Sequence, residues 1–155
     1  MLSATVLAIA AFLSTNILHL AVLRWCSGGL SAIPLAHTAR VLAVMSALFA
    51  VHLAEIGLYA AAYAVAEHWF GVGAFSGEVV AAPLDYLYFS AITYTSLGIG
   101  DIFPTGHLRF LSGVEALNGL LLIALSGSFL FSLMNRVWTW QPCIGPGGRS
   151  KPGPR

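Results

Sequence analysis

Charged side chains are what this sequence has least of. They make up 8% of its 155 residues, against about 25% in an average soluble domain. The chain therefore cannot cover its surface with groups that water solvates. Apolar residues account for 58% and the mean hydropathy is +0.84, which indicates an integral membrane protein. A net charge of +1 argues against a nucleic-acid partner, which needs a basic surface. Cysteine is scarce too: Cys26 and Cys143 lie far apart, form no metal motif, and are expected to be reduced thiols without chemistry. No Walker loop, H-E-x-x-H or G-x-S-x-G occurs, so no enzyme is indicated. No internal repeat, cofactor motif or metal site beyond a permeant ion is expected.

What is present is three long apolar runs, at 1–23, 41–66 and 110–134. Each exceeds the roughly 20 residues that span a hydrocarbon core. The first lacks a basic start and is too long for a signal peptide, so a membrane helix is expected over 1–24. A loop over 25–40 follows. Arg24 and Arg40 bracket that loop, and Arg136, Arg149, Lys151 and Arg155 follow the third run. Three spans put both basic regions on one side, which is the cytoplasm if positive charge stays inside. The expectation is thus a multi-pass cell-membrane protein with its N-terminus outside and its C-terminus cytoplasmic. Trp25, Trp138 and Trp140 would then mark the inner interface and Trp69 the outer one. Residues 136–155 are expected to be a disordered tail, given four prolines and four glycines within 141–155.

Between the second and third runs, residues 67–83 read as a glycine-rich outer loop. Pro83 then precedes LDYLYFSAITYT, with Asp85 near the positive end of a helix dipole, a helix-start signal. A helix over 84–95 is about 18 Å long at about 1.5 Å per residue. That is too short to cross, and an apolar segment of this length reads as re-entrant. Its backbone must return through the membrane, where irregular chain survives only inside protein or against water. Thr95, Ser96, Leu97, Gly98, Ile99 and Gly100 are therefore expected to line an aqueous path. Gly98 and Gly100 would permit the alternating backbone that aims successive carbonyls one way. Leu97 and Ile99 would turn into packing behind it. The fold class is accordingly an all-α membrane protein: three transmembrane helices plus a re-entrant helix and its loop.

The stretch TSLGIGD at 95–101, after a short aromatic helix and before Pro104 and a span, resembles the pore module of two-transmembrane potassium channels of the bacterial type. The family's T-[TS]-V-G-[YF]-G-D signature is matched at Thr95, Ser96, Gly98, Gly100 and Asp101. The resemblance covers 41–135: an outer helix at 41–66, a pore helix at 84–95, a selectivity filter at 95–101 and an inner helix at 109–135. It implies that the carbonyls of Thr95 to Ile99 replace an ion's hydration shell, with the Thr95 or Ser96 hydroxyl as innermost ligand. One chain supplies one loop, so three further copies in the bilayer, a homotetramer, are implied. Asp101 would be the filter mouth, and Gly119 lies at the usual place of the inner-helix hinge, where close packing is the other reading. Three positions depart from the pattern. Ile99 replaces the usual aromatic, Leu97 replaces valine, and Ile92 stands where some relatives carry an acid. The span over 1–24 is additional to the minimal module.

Two alternatives stay open beside a passive potassium-conducting pore. One is a weakly selective cation channel or a non-conducting regulatory subunit, allowed by Ile99 and the additional span. The other is a proton-coupled transporter or membrane enzyme using Glu55, Glu115 and His52, since ionisable groups within membranes tend to be functional. His52 is expected as a hydrogen-bonded core histidine. Glu115, four residues before Gly119 and so on the same helix face, is expected to face the pore helix near Ser90, Thr93 and Tyr94 and to brace the filter from behind.

Overall fold

The computed structural model describes residues 2–29, 33–34 and 36–137. The chain runs α1 (Leu2–Gly28), α2 (His37–His68), β1 (Phe75–Gly77), α3 (Pro83–Tyr94), β2 (Ile102–Pro104) and α4 (Leu108–Val137). The protein is an all-α membrane protein in class. Three of the helices, α1, α2 and α4, are long and apolar enough to cross a bilayer. Trp138, Trp140, Cys143, Arg149, Lys151, Arg155 and the tail they belong to lie outside the described residues.

Burial in the spanning helices runs opposite to that of a soluble protein. The buried stripe of α1 is Ala4, Ala8, Ala11, Thr15, His19, Leu23 and Cys26, spaced three or four apart and mostly small or polar. Its bulky residues, Leu2, Val6, Ile9, Leu13, Ile17 and Leu20, face outward. Hydrocarbon solvates leucine as well as protein does, so these helices associate through close backbone approach and hydrogen bonds. Helix α1 packs on both α2 and α4.

Helix α3 wedges between α2 and α4. Pro83 opens it, and Asp85 Oδ2 accepts the amides of Ala81 and Ala82 at 2.9 and 2.8 Å. These bonds hold the Asp85 carboxyl below its ordinary value. Tyr86 and Phe89 on its inner face meet Tyr63 and Phe75 edge to face, with ring centroids 4.8–5.7 Å apart. The geometry is the favoured one for aromatic pairs.

The outer connection differs from the loop that composition suggested. Phe75, Ser76 and Gly77 pair antiparallel with Pro104, Phe103 and Ile102. Strands of three residues carry too few positions for a period of two to show. Gly77 is required here: its φ is +97°, and a Cβ would collide with the Asp101 carbonyl.

Candidate functional site

The end of α3 and the start of the following loop are one structure. Ser96 N–H donates to Thr93 at 2.9 Å and Leu97 N–H to Ile92 at 2.9 Å, while Ser96 has φ +56°. This is the pairing of a Schellman cap, in which a left-handed residue usually filled by glycine ends the helix. Gly98 N–H also reaches the Ile92 carbonyl, at 3.2 Å. The loop amides thus point back into the helix end. Positive φ recurs at Ser96, Gly98 and Gly100, so handedness alternates residue by residue. Among the described residues, none of the carbonyls of 95–100 accepts a hydrogen bond.

Sequence reasoning assigned this alternation to the glycines and missed Ser96. It is the single non-glycine with positive φ among the described residues, a conformation costing an L-residue about 1–2 kcal/mol. The neighbouring threonine is spoken for: Thr95 Oγ1 donates to the Ala91 carbonyl at 2.7 Å. The Ser96 hydroxyl has no such partner among the described residues. Leu97 and Ile99 are 66% and 58% exposed. The packing expected behind them is not supplied by their own chain.

Asp101 is tied down. Tyr88 Oη donates to its Oδ2 at 2.6 Å, Ile102 N–H donates to Oδ1 at 2.9 Å, and its carbonyl accepts Glu78 N–H at 3.0 Å. The Tyr88 bond, made to the charged form, lowers the Asp101 carboxyl below its ordinary 3.8. Sequence reasoning assigned Tyr88 no functional role. Its spacing of thirteen residues from Asp101 is not a helical one, so no periodicity could have joined them.

Gly119 touches the end of α3, just before the 95–100 loop. A Cβ there would collide with the Tyr94 carbonyl oxygen and approach the Tyr94 ring to 2.9 Å. Helix α4 runs through this point without a break, so the observed role is close packing. Gly127, by contrast, has nothing within 4 Å of its would-be Cβ.

Glu115 is fully buried on the α3-facing side of α4. Its Oε1 lies 2.5 Å from Ser90 Oγ and its Oε2 2.5 Å from Tyr63 Oη. Ser90 belongs to α3, so the acid bridges α2, α3 and α4. Thr93 and Tyr94 are not its partners. Tyr94 instead donates to Glu55 Oε2 at 2.5 Å, and it brings in the polar residues of α1.

Two polar layers connect α1 to the pore module. In one, Asn118 donates to Thr15 Oγ1 and Tyr59 Oη at 2.8 and 3.1 Å and accepts from Asn16 at 2.8 Å. In the other, His19, His52 and Glu55 meet Ser126 and Tyr94. The donor atoms of His19, His52 and Glu55 lie within 4.8 Å of one another. Each already has a hydrogen-bond partner in the chain, so the group forms a polar network. His52 is hydrogen-bonded in the core, as anticipated. His19 was overlooked, because a lone histidine in an apolar run carries no pattern of its own.

A family model described as ion channel matches residues 47–136. No curated protein and no solved structure gives a significant match.

Proposed function

The chain belongs to the ion channel family, and from that premise we propose that it is a homotetrameric potassium channel conducting passively through residues 95–100. The carrying observation is the run of unpaired carbonyls from Thr95 to Gly100, with left-handed backbone at Ser96, Gly98 and Gly100. At membrane depth such backbone needs a polar occupant. A partly dehydrated cation is the natural one, because carbonyl oxygens can replace its water. The negative end of the α3 dipole, at Tyr94, favours the same sign of charge. Four copies are needed to surround the ion. The exposed Leu97 and Ile99 side chains support this, since neighbouring subunits would cover them. Asp101 sits at the outer mouth, the N-terminus outside and the C-terminus in the cytoplasm. No cofactor or catalytic step enters.

Ile99 favours a second reading, a weakly selective cation pore. Its side chain offers no hydrogen bond to hold the filter's diameter. Reversal potentials of purified protein in planar bilayers under bi-ionic potassium/sodium conditions separate the two. A potassium-selective potential supports the first reading, equal permeability the second, and no conductance in assembled protein refutes both.

A further inference from the structure

Four side chains close a ring of hydrogen bonds where α1, α2 and α4 meet, beside the last residue of α3. His19 Nδ1 lies 2.9 Å from Glu55 Oε1, and His19 Nε2 lies 3.2 Å from Ser126 Oγ. Ser126 Oγ lies 3.0 Å from His52 Nε2, and His52 Nδ1 lies 3.1 Å from Glu55 Oε2. Tyr94 Oη leans on one corner, 2.5 Å from Glu55 Oε2 and 2.9 Å from His52 Nδ1. His19 and Glu55 are fully buried and Ser126 nearly so.

The ring poses a counting problem. Four edges need four protons. Each neutral imidazole supplies one, the serine hydroxyl supplies one, and a carboxylate supplies none. That leaves one edge with two acceptors facing each other. A fourth proton closes the ring and also makes it electrically neutral, as an imidazolium beside a carboxylate or as two imidazoles beside a carboxylic acid. Without it the junction carries one uncompensated negative charge away from water, which is costly. Hydrogen bonding and charge balance make the same demand.

No other group in reach meets both demands: the Tyr94 hydroxyl can donate into the His52–Glu55 edge but brings no charge. Helix α1 presents His19; α2 presents His52, Glu55 and, one turn on, Tyr59, whose hydroxyl is taken by Asn118. Helix α3 presents Tyr94, and α4 presents Ser126 and, farther along, Glu115, engaged by Tyr63 and Ser90. The arginines of these helices, Arg24, Arg40, Arg109 and Arg136, all lie near helix ends.

We propose that the ring of His19, Ser126, His52 and Glu55 is a single-proton binding site through which the first span controls the base of the filter. The coupling rests on the conduction reading above; the binding site does not. With the proton bound, His52 Nδ1–H donates toward Glu55 and the Tyr94 hydroxyl is committed to Glu55. When the proton leaves, His52 Nδ1 becomes an acceptor, and the Tyr94 hydroxyl turns to it and releases Glu55. Tyr94 is the residue whose carbonyl rests on Gly119 and whose successors are Thr95 and Ser96. Its hydroxyl therefore transmits the state of the ring to the start of the ion path. The additional span acquires a role: it carries one of the two histidines.

The test uses full-length protein in bilayers. Labelled with 15N-histidine and 13C-carboxyl-glutamate, it should show at neutral pH one imidazolium or one protonated carboxyl per protomer, identified by the contact of both imidazoles with one glutamate. That signal should vanish as the pH is raised. Potassium flux should fall over the same range on the order of tenfold, about the worth of one hydrogen bond to a charged group. Glu55→Gln should lose the pH dependence, whatever the level of its flux. Its amide N–H₂ turned to His19, and its oxygen to His52 and Tyr94, supplies the fourth proton covalently. Absence of any ring proton at neutral pH overturns the proposal. So does a Glu55→Gln protein with the wild-type pH response, or a signal that a chelator abolishes, which would mark a divalent metal as occupant. Protein that binds the proton yet passes no ion at any pH supports the site and overturns the channel reading instead.

Discussion

Two irregular stretches flank α3, and they satisfy their backbones in opposite ways. On one side, residues 72–78 and 101–107 consume each other's polar groups. Thr105 N–H donates to Ala74, His107 N–H to Val72 and Glu78 N–H to Asp101, and β1 pairs with β2. On the other side, residues 95–100 turn amides into α3 and leave their carbonyls without partners. Both contain glycines at positive φ. In the β1–β2 pair the glycine is demanded by a neighbouring carbonyl; in the 95–100 loop it is demanded by its own positive φ. Glycine alone therefore does not mark function, whereas glycine beside an unused acceptor does.

Substituting one glycine in each stretch should break that comparison most sharply. Gly98→Ala meets no atom within 4 Å, yet must hold φ +56° at about 1–2 kcal/mol in each subunit. Tetramers should form, as judged by size in detergent, and ion flux should be lost. Gly77→Ala would instead drive a Cβ into the Asp101 carbonyl, so the yield of folded tetramer should fall before conduction can be measured. Normal flux through the Gly98→Ala protein would refute a carbonyl-lined path.

Gly119→Ala comes next, because the atom it strikes is the backbone oxygen of Tyr94, where the 95–100 loop begins. Either α4 or α3 must shift, and flux should be lost with assembly retained. A full-length hinge role would instead change open probability while leaving single-channel current intact, which single-channel recording distinguishes.

Glu115→Ala should cost less, about 2–4 kcal/mol by thermal or denaturant unfolding, since Tyr63 and Ser90 each lose a buried partner worth roughly 1–3 kcal/mol. Glu115→Gln keeps an acceptor and should stay within about 1 kcal/mol of the parent. Equal stability of alanine and glutamine variants would remove Glu115 as a brace.

Ile99→Tyr should leave assembly unchanged and preserve or sharpen preference for potassium, read from bi-ionic reversal potentials. A variant that assembles but passes sodium as readily as potassium would mean that this loop is built differently from the family's filter. Tyr88→Phe should have the smallest effect, since its hydroxyl and Asp101 are both open to water. The bond holds Asp101 below its ordinary 3.8. Its contribution is thus fully present above that value and lost as pH falls through the lowered one. Filter lifetime in the parent should shorten on strong external acidification, and the phenylalanine variant should show less of that dependence.

Much of this architecture was legible because its signals are local. A run of apolar residues declares a span without reference to any other part of the chain. Pro83 and Asp85 declare a helix start, and the TSLGIGD stretch lies within seven consecutive residues. What was illegible is pairwise and distant. His19 and Glu55 become partners only when α1 lies on α2, and Tyr88 reaches Asp101 only because the chain folds back after α3. Phe75 meets Pro104 across a connection that contains an entire helix. Ser96 was hidden for another reason: serine carries no conformational label, and its left-handed backbone is imposed by the cap it completes.

That cap has a consequence for modularity. The bonds from Ser96, Leu97 and Gly98 end on Thr93 and Ile92, so this loop borrows its fixed points from the last turn of the preceding helix. Residues 95–101 are therefore not a cassette that can be exchanged alone. The smallest transplantable unit runs from Ile92 to Asp101 and must travel with a receptor groove: Gly119 for the Tyr94 carbonyl, and Tyr88 for the far carboxylate. A chimera that respects only the seven-residue motif would inherit its letters without the scaffold that gives them direction.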